Sequence, residues 1–205
     1  MFSFDSTKYL GVLKRNEYLI IRNGCTKNFL TKLDSLLSKI LEGDNVKTFS
    51  LIPDQEEMEV ALKVFSDLSG DKELTISRHH LMHYRPGMTS NPHKDRKSLQ
   101  YGCAIGVDSP EDSKLLLWPD GNLDENTGNH YRDYIDSLGG VDKVNDLVSQ
   151  TKPQEIFTGK GDLVFFPASK MFHCRKNPLG SSVYYLDVNS YGLNDREASM
   201  QERRV

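Results

Sequence analysis

Cysteine is scarce in this 205-residue chain. Cys25, Cys103 and Cys174 are an odd number with no CxxC pair, which argues against a disulfide framework. No apolar run reaches the 18 or so residues that would span a bilayer. The opening MFSFDSTKYLGVLKRN lacks the apolar core of a signal peptide, so a cytoplasmic protein without a membrane partner is expected. Neither charge sign dominates. The formal net charge of -3 gives no chain-wide case for nucleic acid, and the small basic cluster Lys94, Arg96 and Lys97 is expected to be a solvated face. Internal repeats and low-complexity stretches are absent, and 37% hydrophobic residues suffice for one packed core. A single domain over residues 1–205 follows; oligomeric state is not legible.

The pattern along the chain is mixed. Glu17–Arg22 reads as a strand broken at Asn23-Gly24. Thr26 is placed to cap a helix running to about Leu41, ended by Gly43, with Phe29, Leu30, Leu33, Leu36, Leu37 and Ile40 at helical spacing. A second helix is expected from about Pro53 to Leu68, stopped by Gly70. From there short β-type segments take over: Leu74–Tyr84, Leu99–Val107, Lys114–Trp118, Asp162–Phe166 and Ser182–Val188. Between them, Tyr131–Gln150 has helical spacing weakened at Gly139-Gly140. It predicts one or two helices inserted at about residues 123–150, where Trp118, Tyr131 and Tyr134 serve core or lid packing near a substrate entrance. The polar tail Asn194–Val205 is expected to fray. Helices followed by many short strands indicate an α+β domain, a β-sandwich or barrel with helices on one side.

The chemistry-bearing segments lie among the strands. In Tyr84-Arg-Pro-Gly87-Met-Thr-Ser-Asn-Pro-His93-Lys-Asp95, a strand ends in a turn and delivers His93 and Asp95 two residues apart. On an extended chain those side chains project to the same side and can reach one ion. Gly161-Asp-Leu-Val-Phe-Phe-Pro167 then leads to His173. Two imidazoles and one carboxylate leave three coordination positions open, the donor set of non-haem Fe(II) oxygenases; a structural zinc site would be closed by a fourth protein ligand. His79, His80 and His83 do not make a second cluster, because on a strand His80 opposes the other two. Cys174 points away from His173 by the same parity and is expected to pack.

Tyr84, Gly87, His93 and Asp95 resemble the YxxGxxxxxHxD spacing of the prolyl-4-hydroxylase-like branch of the Fe(II)/2-oxoglutarate-dependent dioxygenases. GDLVFFP before His173 is similar to the strand that presents the distal histidine in that superfamily, and the EYLIIRNG opening is similar to the phytanoyl-CoA-dioxygenase-like entry. The resemblance implies a double-stranded β-helix, a jelly-roll or cupin-like barrel. It implies Fe(II) on His93, Asp95 and His173, with no catalytic residue beyond these ligands, and a hydrogen bond from Tyr84 to 2-oxoglutarate. Ascorbate would be an optional reductant. Such enzymes usually carry Arg or Lys nine or ten residues after the distal histidine to pair the far carboxylate of 2-oxoglutarate. Here Ser182 and Val183 stand there. Ser182 offers only a hydroxyl, so Arg175, two residues past His173 on the same strand face, is the expected cation, with Arg78 and Arg85 as alternatives. An intact Asp95 disfavours halogenation.

The expected activity is therefore hydroxylation by O2 and 2-oxoglutarate of an unactivated C–H bond in a small polar molecule, an amino acid or derivative. The alternatives are a peptidyl, prolyl-type hydroxylase, a cupin-like enzyme that uses the metal without 2-oxoglutarate, and a cupin-like metal-binding or sensor module without turnover.

Overall fold

The computed structural model describes residues 1–43, 47–48, 53–121 and 123–190. The tail Asn194–Val205 lies outside these. After a short 3-10 turn, Ser6–Tyr9, the elements run β1 (Leu19–Ile21), α1 (Lys27–Glu42), β2 (Lys47–Thr48), α2 (Gln55–Ser69), β3 (Thr75–His83), β4 (Tyr101–Asp108) and β5 (Lys114–Trp118). They continue with α3 (Tyr131–Ser137), α4 (Val141–Ser149), β6 (Gln154–Phe157), β7 (Leu163–Phe166), β8 (Phe172–Lys176) and β9 (Ser182–Asn189).

Local chemistry sets the helix ends. The Thr26 hydroxyl accepts the Phe29 N–H at the start of α1, as its sequence position predicts. At α2 the sequence reading is corrected: Pro53 lies before the helix. Asp54 caps it in a reciprocal box with Glu57, each side chain accepting the other's backbone N–H. Gly70 ends α2 at φ 79°, a left-handed conformation that costs glycine nothing. The insertion is two short helices, α3 and α4. Gly139 and Gly140, at φ 95° and 104°, break the continuous pattern between them.

All strand pairings are antiparallel and form two sheets. The larger has the order β1-β7-β4-β9-β3-β2, the smaller β6-β5-β8. The barrel expected from the sequence is thus two separate ladders stacked over a common interior.

Alternation along the strands sorts side chains into layers. One face of the large sheet, with Leu81, Cys103, Ile105, Phe165, Tyr184 and Leu186, packs on Phe29, Leu33 and Leu37 of α1 and Phe65 and Leu68 of α2. Phe165 is fully buried, with Phe2 and Phe65 meeting it edge-on at 5.4 Å each. Burial of one such side chain stabilises the fold by about 1.5–3 kcal/mol. The other face, with Ala104, Val164, Phe166 and Val183, meets Leu115, Leu117 and Ile156 of the small sheet. Beyond the small sheet, Trp118, Phe172 and Cys174 carry Ile135 of α3 and Val144 and Val148 of α4. Helices therefore cover both sheets, and the space between the sheets opens at one end into a cavity. Among the described residues no helix is long and apolar enough to cross a membrane.

Candidate metal centre and its cavity

The site is built where the chain before β4 meets the start of β8. His93 belongs to no named strand but forms an isolated bridge with His173: the His93 N–H donates to His173 O at 3.1 Å, and the reverse bond is 2.9 Å. Two residues on, the Asp95 N–H donates to Ala168 O at 2.9 Å. These bonds bring the three residues together although 78 positions separate Asp95 from His173.

One ligand atom from each of His93, Asp95 and His173 lies within 4.8 Å of the others, the one such group among the described residues. His93 Nε2 is 3.9 Å from Asp95 Oδ1, and His173 Nε2 is 3.8 Å from Asp95 Oδ2. Each imidazole uses its other nitrogen on a carbonyl, His93 Nδ1 on Asn91 O at 2.8 Å and His173 Nδ1 on Met171 O at 3.0 Å. A carbonyl only accepts, so both Nδ1 atoms carry hydrogen, and the lone pair of each neutral imidazole is the one at Nε2, turned toward Asp95. That is the tautomer a metal needs, oriented by the outer partners that metal-binding histidines commonly have.

Electrostatics agree. Burial, reinforced by the neighbouring His93, pushes His173 down to about 4, so it is neutral and ready to ligate at ordinary pH. Burial alone would raise Asp95, but the neighbouring Arg78 charge, joined by the histidines where they are protonated, outweighs it and holds the carboxyl below the usual range. A direct check is NMR titration of the His173 ring in the metal-free protein. The expected midpoint is near 4, and one near the ordinary 6.5 contradicts this environment. A folded pKa below the unfolded one makes this histidine's contribution to stability complete above about 6.5. It is lost as pH falls toward 4.

The open side of the triad faces a cavity of about 780 Å³. Strand parity accounts for its walls: Arg78, His80, Met82 and Tyr84 from the β3 segment, Tyr185 and Asp187 from β9, His173 and Arg175 from β8, and Phe166 from β7. Tyr131 and Arg132 of α3 stand at the rim, with the Tyr131 ring 5.7 Å from that of His93. Half-buried Arg78 joins two carboxylates, its Nε to Asp187 at 2.7 Å and its Nη2 to Asp95 at 3.1 Å. Burial pushes Asp187 up to about 6 despite that partner.

The residues expected to hold a cosubstrate separate clearly. Tyr84 lines the cavity, and its hydroxyl lies 3.2 Å from that of Tyr185. Burial raises it well above an ordinary phenol, so it is neutral. Arg175 is 2% exposed and also lines the cavity. Its Nη1 reaches Ser113 Oγ at 3.4 Å and its Nη2 Thr158 Oγ1 at 3.2 Å, while Nε is without a partner. No carboxylate among the described residues pairs with it. Ser182 is a correction. It sits on the opposite face of β9 from Val183, Tyr185 and Asp187, and its hydroxyl is 2.9 Å from His83 Nδ1, away from the cavity. Arg85 is also elsewhere, donating to Ile40 O at 2.8 Å and to Gly43 O at the C-terminal end of α1. Arg78 faces the cavity but is already held by its two aspartates.

Other expectations sort out the same way. Lys94 and Arg96 are buried, so the basic cluster is not a solvated face: tight bridging of this segment to residues 124–128 and 168–173 removes it from water. Cys174 packs under the insertion, and burial pushes its thiol up to about 12, leaving it unreactive. Trp118 is buried, its indole N–H donating to Val148 O of α4 at 3.0 Å. His80 stacks on Tyr185 at the cavity wall, on the opposite face from His79 and His83. Tyr185, Asp187 and the pairing of Arg78 with Asp187 carry no sequence motif, and His80 is read from sequence only as no part of a metal cluster. Counting back by twos from Tyr84 and forward by twos from Val183 would have found them.

No family model matches the sequence, and no curated protein does either. Solved structures do match. A non-haem α-ketoglutarate-dependent carbocyclase, SnoK, from nogalamycin biosynthesis aligns at 13% identity with a TM-score of 0.63, covering 97% of this chain and 90% of its own. A Pseudomonas putida prolyl-4-hydroxylase aligns at 13% identity and 0.56, covering 90% and 93%. EctD from S. alaskensis, with 2-oxoglutarate and 5-hydroxyectoine, aligns at 14% identity and 0.57, covering 91% and 76%. Two stacked antiparallel sheets and four α-helices among the described residues, with these matches, show that the chain has the jelly-roll fold of the Fe(II)/2-oxoglutarate-dependent oxygenases.

Proposed function

We propose that this protein is an Fe(II)- and 2-oxoglutarate-dependent oxygenase. The observation that carries the reading is one cavity lined by a three-ligand cluster and, two residues along β8 from His173, by a buried guanidinium, Arg175, that no carboxylate among the described residues pairs. His93, Asp95 and His173 would hold the metal, which supplies the activation of O2 by 2-oxoglutarate that no side chain here can perform.

The protein's own work is then binding and orientation. The Nδ1 contacts to Asn91 and Met171 orient both imidazoles with Nε2 toward the metal position. Arg78 keeps Asp95 ionised. Arg175 offers charge-assisted hydrogen bonds to the far carboxylate of 2-oxoglutarate, with Tyr84 donating from just past the end of β3. Phe166, Leu115 and Ile135 lend the cavity apolar surface that excludes water. Arg175 answers the missing Arg or Lys on β9, and so favours 2-oxoglutarate use over a cupin-like chemistry or sensor role without it.

The substrate reading is a small polar molecule, an amino acid or derivative, hydroxylated at C–H. The insertion supports a small substrate over a peptide, because α3 and α4 put Tyr131, Arg132, Asp136 and Val141 at the cavity rim. Reaction outcome varies on this fold, since SnoK is described as a carbocyclase and SnoN as an epimerase.

The test is conversion of 2-oxoglutarate to succinate after anaerobic Fe(II) reconstitution and admission of O2, with a panel of amino acids. Expected is Fe(II)-dependent succinate, increased by one member of the panel. Succinate no higher than in a His173→Ala control contradicts the oxygenase reading, while turnover that no amino acid stimulates contradicts only the substrate class.

A further inference from the structure

Lys94 stands between two of the three proposed ligands, yet its side chain runs away from them, out of the cavity and beneath the insertion. It is 0% exposed. Its ammonium donates to Asp124 O at 2.6 Å and to the Tyr134 hydroxyl at 3.0 Å. It also lies 4.5 Å from the Tyr134 ring centre and 4.7 Å from that of Phe172. Tyr134 belongs to α3, Asp124 to the segment leading into it, and Phe172 directly precedes His173. One side chain therefore touches the metal segment, the neighbour of the distal histidine and the lid.

Neighbouring bonds follow the same seam. Asn126 N donates to Ser169 O at 2.8 Å, Lys97 N to Gly128 O at 3.3 Å, and Asn126 Nδ2 to Lys94 O at 3.4 Å. Tyr131, one turn before Tyr134 on α3, is the residue whose ring meets His93. Beyond α3 the Gly139-Gly140 joint leads to α4, which Trp118 holds through Val148 O. A desolvated ammonium is costly, and an apolar side chain of similar length would pack as well or better. A latch gives the charge a purpose that packing alone does not.

We propose that Lys94 is a positioning residue that locks α3 over the metal-side histidine, so that losing its charge frees the lid and leaves the three ligands in place. The proposal rests on the metal-centre reading only where cobalt is used to test it. Trp118, the single tryptophan, shares one buried cluster with Ile135 of α3 and donates to Val148 O of α4, so its exposure reports undocking of the insertion.

The experiment compares wild type, Lys94→Met and Tyr134→Phe in the full chain. It measures acrylamide quenching of Trp118, amide exchange over residues 123–150, and Co(II) binding by visible absorption. Loss of a charge-assisted hydrogen bond shifts lid docking about tenfold. Quenching and exchange should therefore rise severalfold in Lys94→Met, and less in Tyr134→Phe, which keeps the ring and loses one acceptor. Co(II) affinity and spectrum should be unchanged. Unchanged quenching in both variants overturns the proposal, as does a loss of Co(II) affinity that parallels Trp118 exposure. If Lys94→Met fails to fold, Tyr134→Phe decides alone. Wild type that does not bind Co(II) overturns the metal reading instead, and the Trp118 comparison still stands.

Discussion

Replacing His173 by alanine should abolish Fe(II) binding and leave the fold standing. The imidazole presents its bare Nε2 to Asp95 while Nδ1–H is held on Met171 O, so removing the ring takes one of only three ligand atoms. Loss of a mere outer-shell partner already costs a metal site about 10- to 100-fold in affinity. Loss of a ligand in a three-ligand site must exceed that. The fold survives because the ring borders the cavity, so truncation enlarges an existing space and leaves no sealed void. His93→Ala should behave alike. Asp95→Gly should lose turnover even where some metal is retained, since it opens a further coordination position and leaves Arg78 with Asp187 alone. Isothermal titration with Fe(II) under argon, beside thermal melts of each variant, separates ligand loss from unfolding. Wild-type affinity in both histidine variants would show that the triad is not the metal site.

The second large effect is at Arg175. A guanidinium at 2% exposure with only hydroxyl partners is under-compensated, and a dicarboxylate entering the cavity completes it. A charge-assisted contact of this kind is worth roughly 1.5–3 kcal/mol, so Arg175→Ala should weaken 2-oxoglutarate binding by about 10- to 150-fold. Arg175→Met is the packing control: it keeps the length, loses the charge and should weaken binding comparably. Lysine should rescue only in part, because it lacks the planar fork. Fe(II) affinity should not change, since Arg175 touches none of the three ligand residues. Equilibrium binding of 2-oxoglutarate to each Fe(II)-loaded variant checks this. Parent-like affinity in Arg175→Met would move the assignment to Arg78.

Much of this was legible in the sequence, for identifiable reasons. Periodicity located α1, α2 and the longer strands because those segments bury one face over many residues. It does not register β2, β6 and β8, which are two, four and five residues long and too short for a period to show. Pro53 misled because the Asp54–Glu57 box was the stronger start signal. The rule that residues two apart share a strand face correctly put Arg175 beside His173. Applied to β9, it also puts Ser182 on the face opposite Tyr185 and Asp187, which line the cavity. The charged cluster at Lys94–Lys97 was read as solvated because composition carries no information about what a lysine packs against. Its burial depends on Tyr134 and Phe172, 40 and 78 residues away.

Anaerobic titration of the Fe(II)-loaded protein with 2-oxoglutarate, followed by visible absorption, addresses the central claim most directly. A 2-oxo acid chelated to ferrous ion in a three-ligand site gives a weak charge-transfer band. The account predicts a saturable band at one equivalent of each, absent in His173→Ala and shifted to much higher 2-oxoglutarate concentration in Arg175→Met. Bound Fe(II) with no band at saturating 2-oxoglutarate would contradict it.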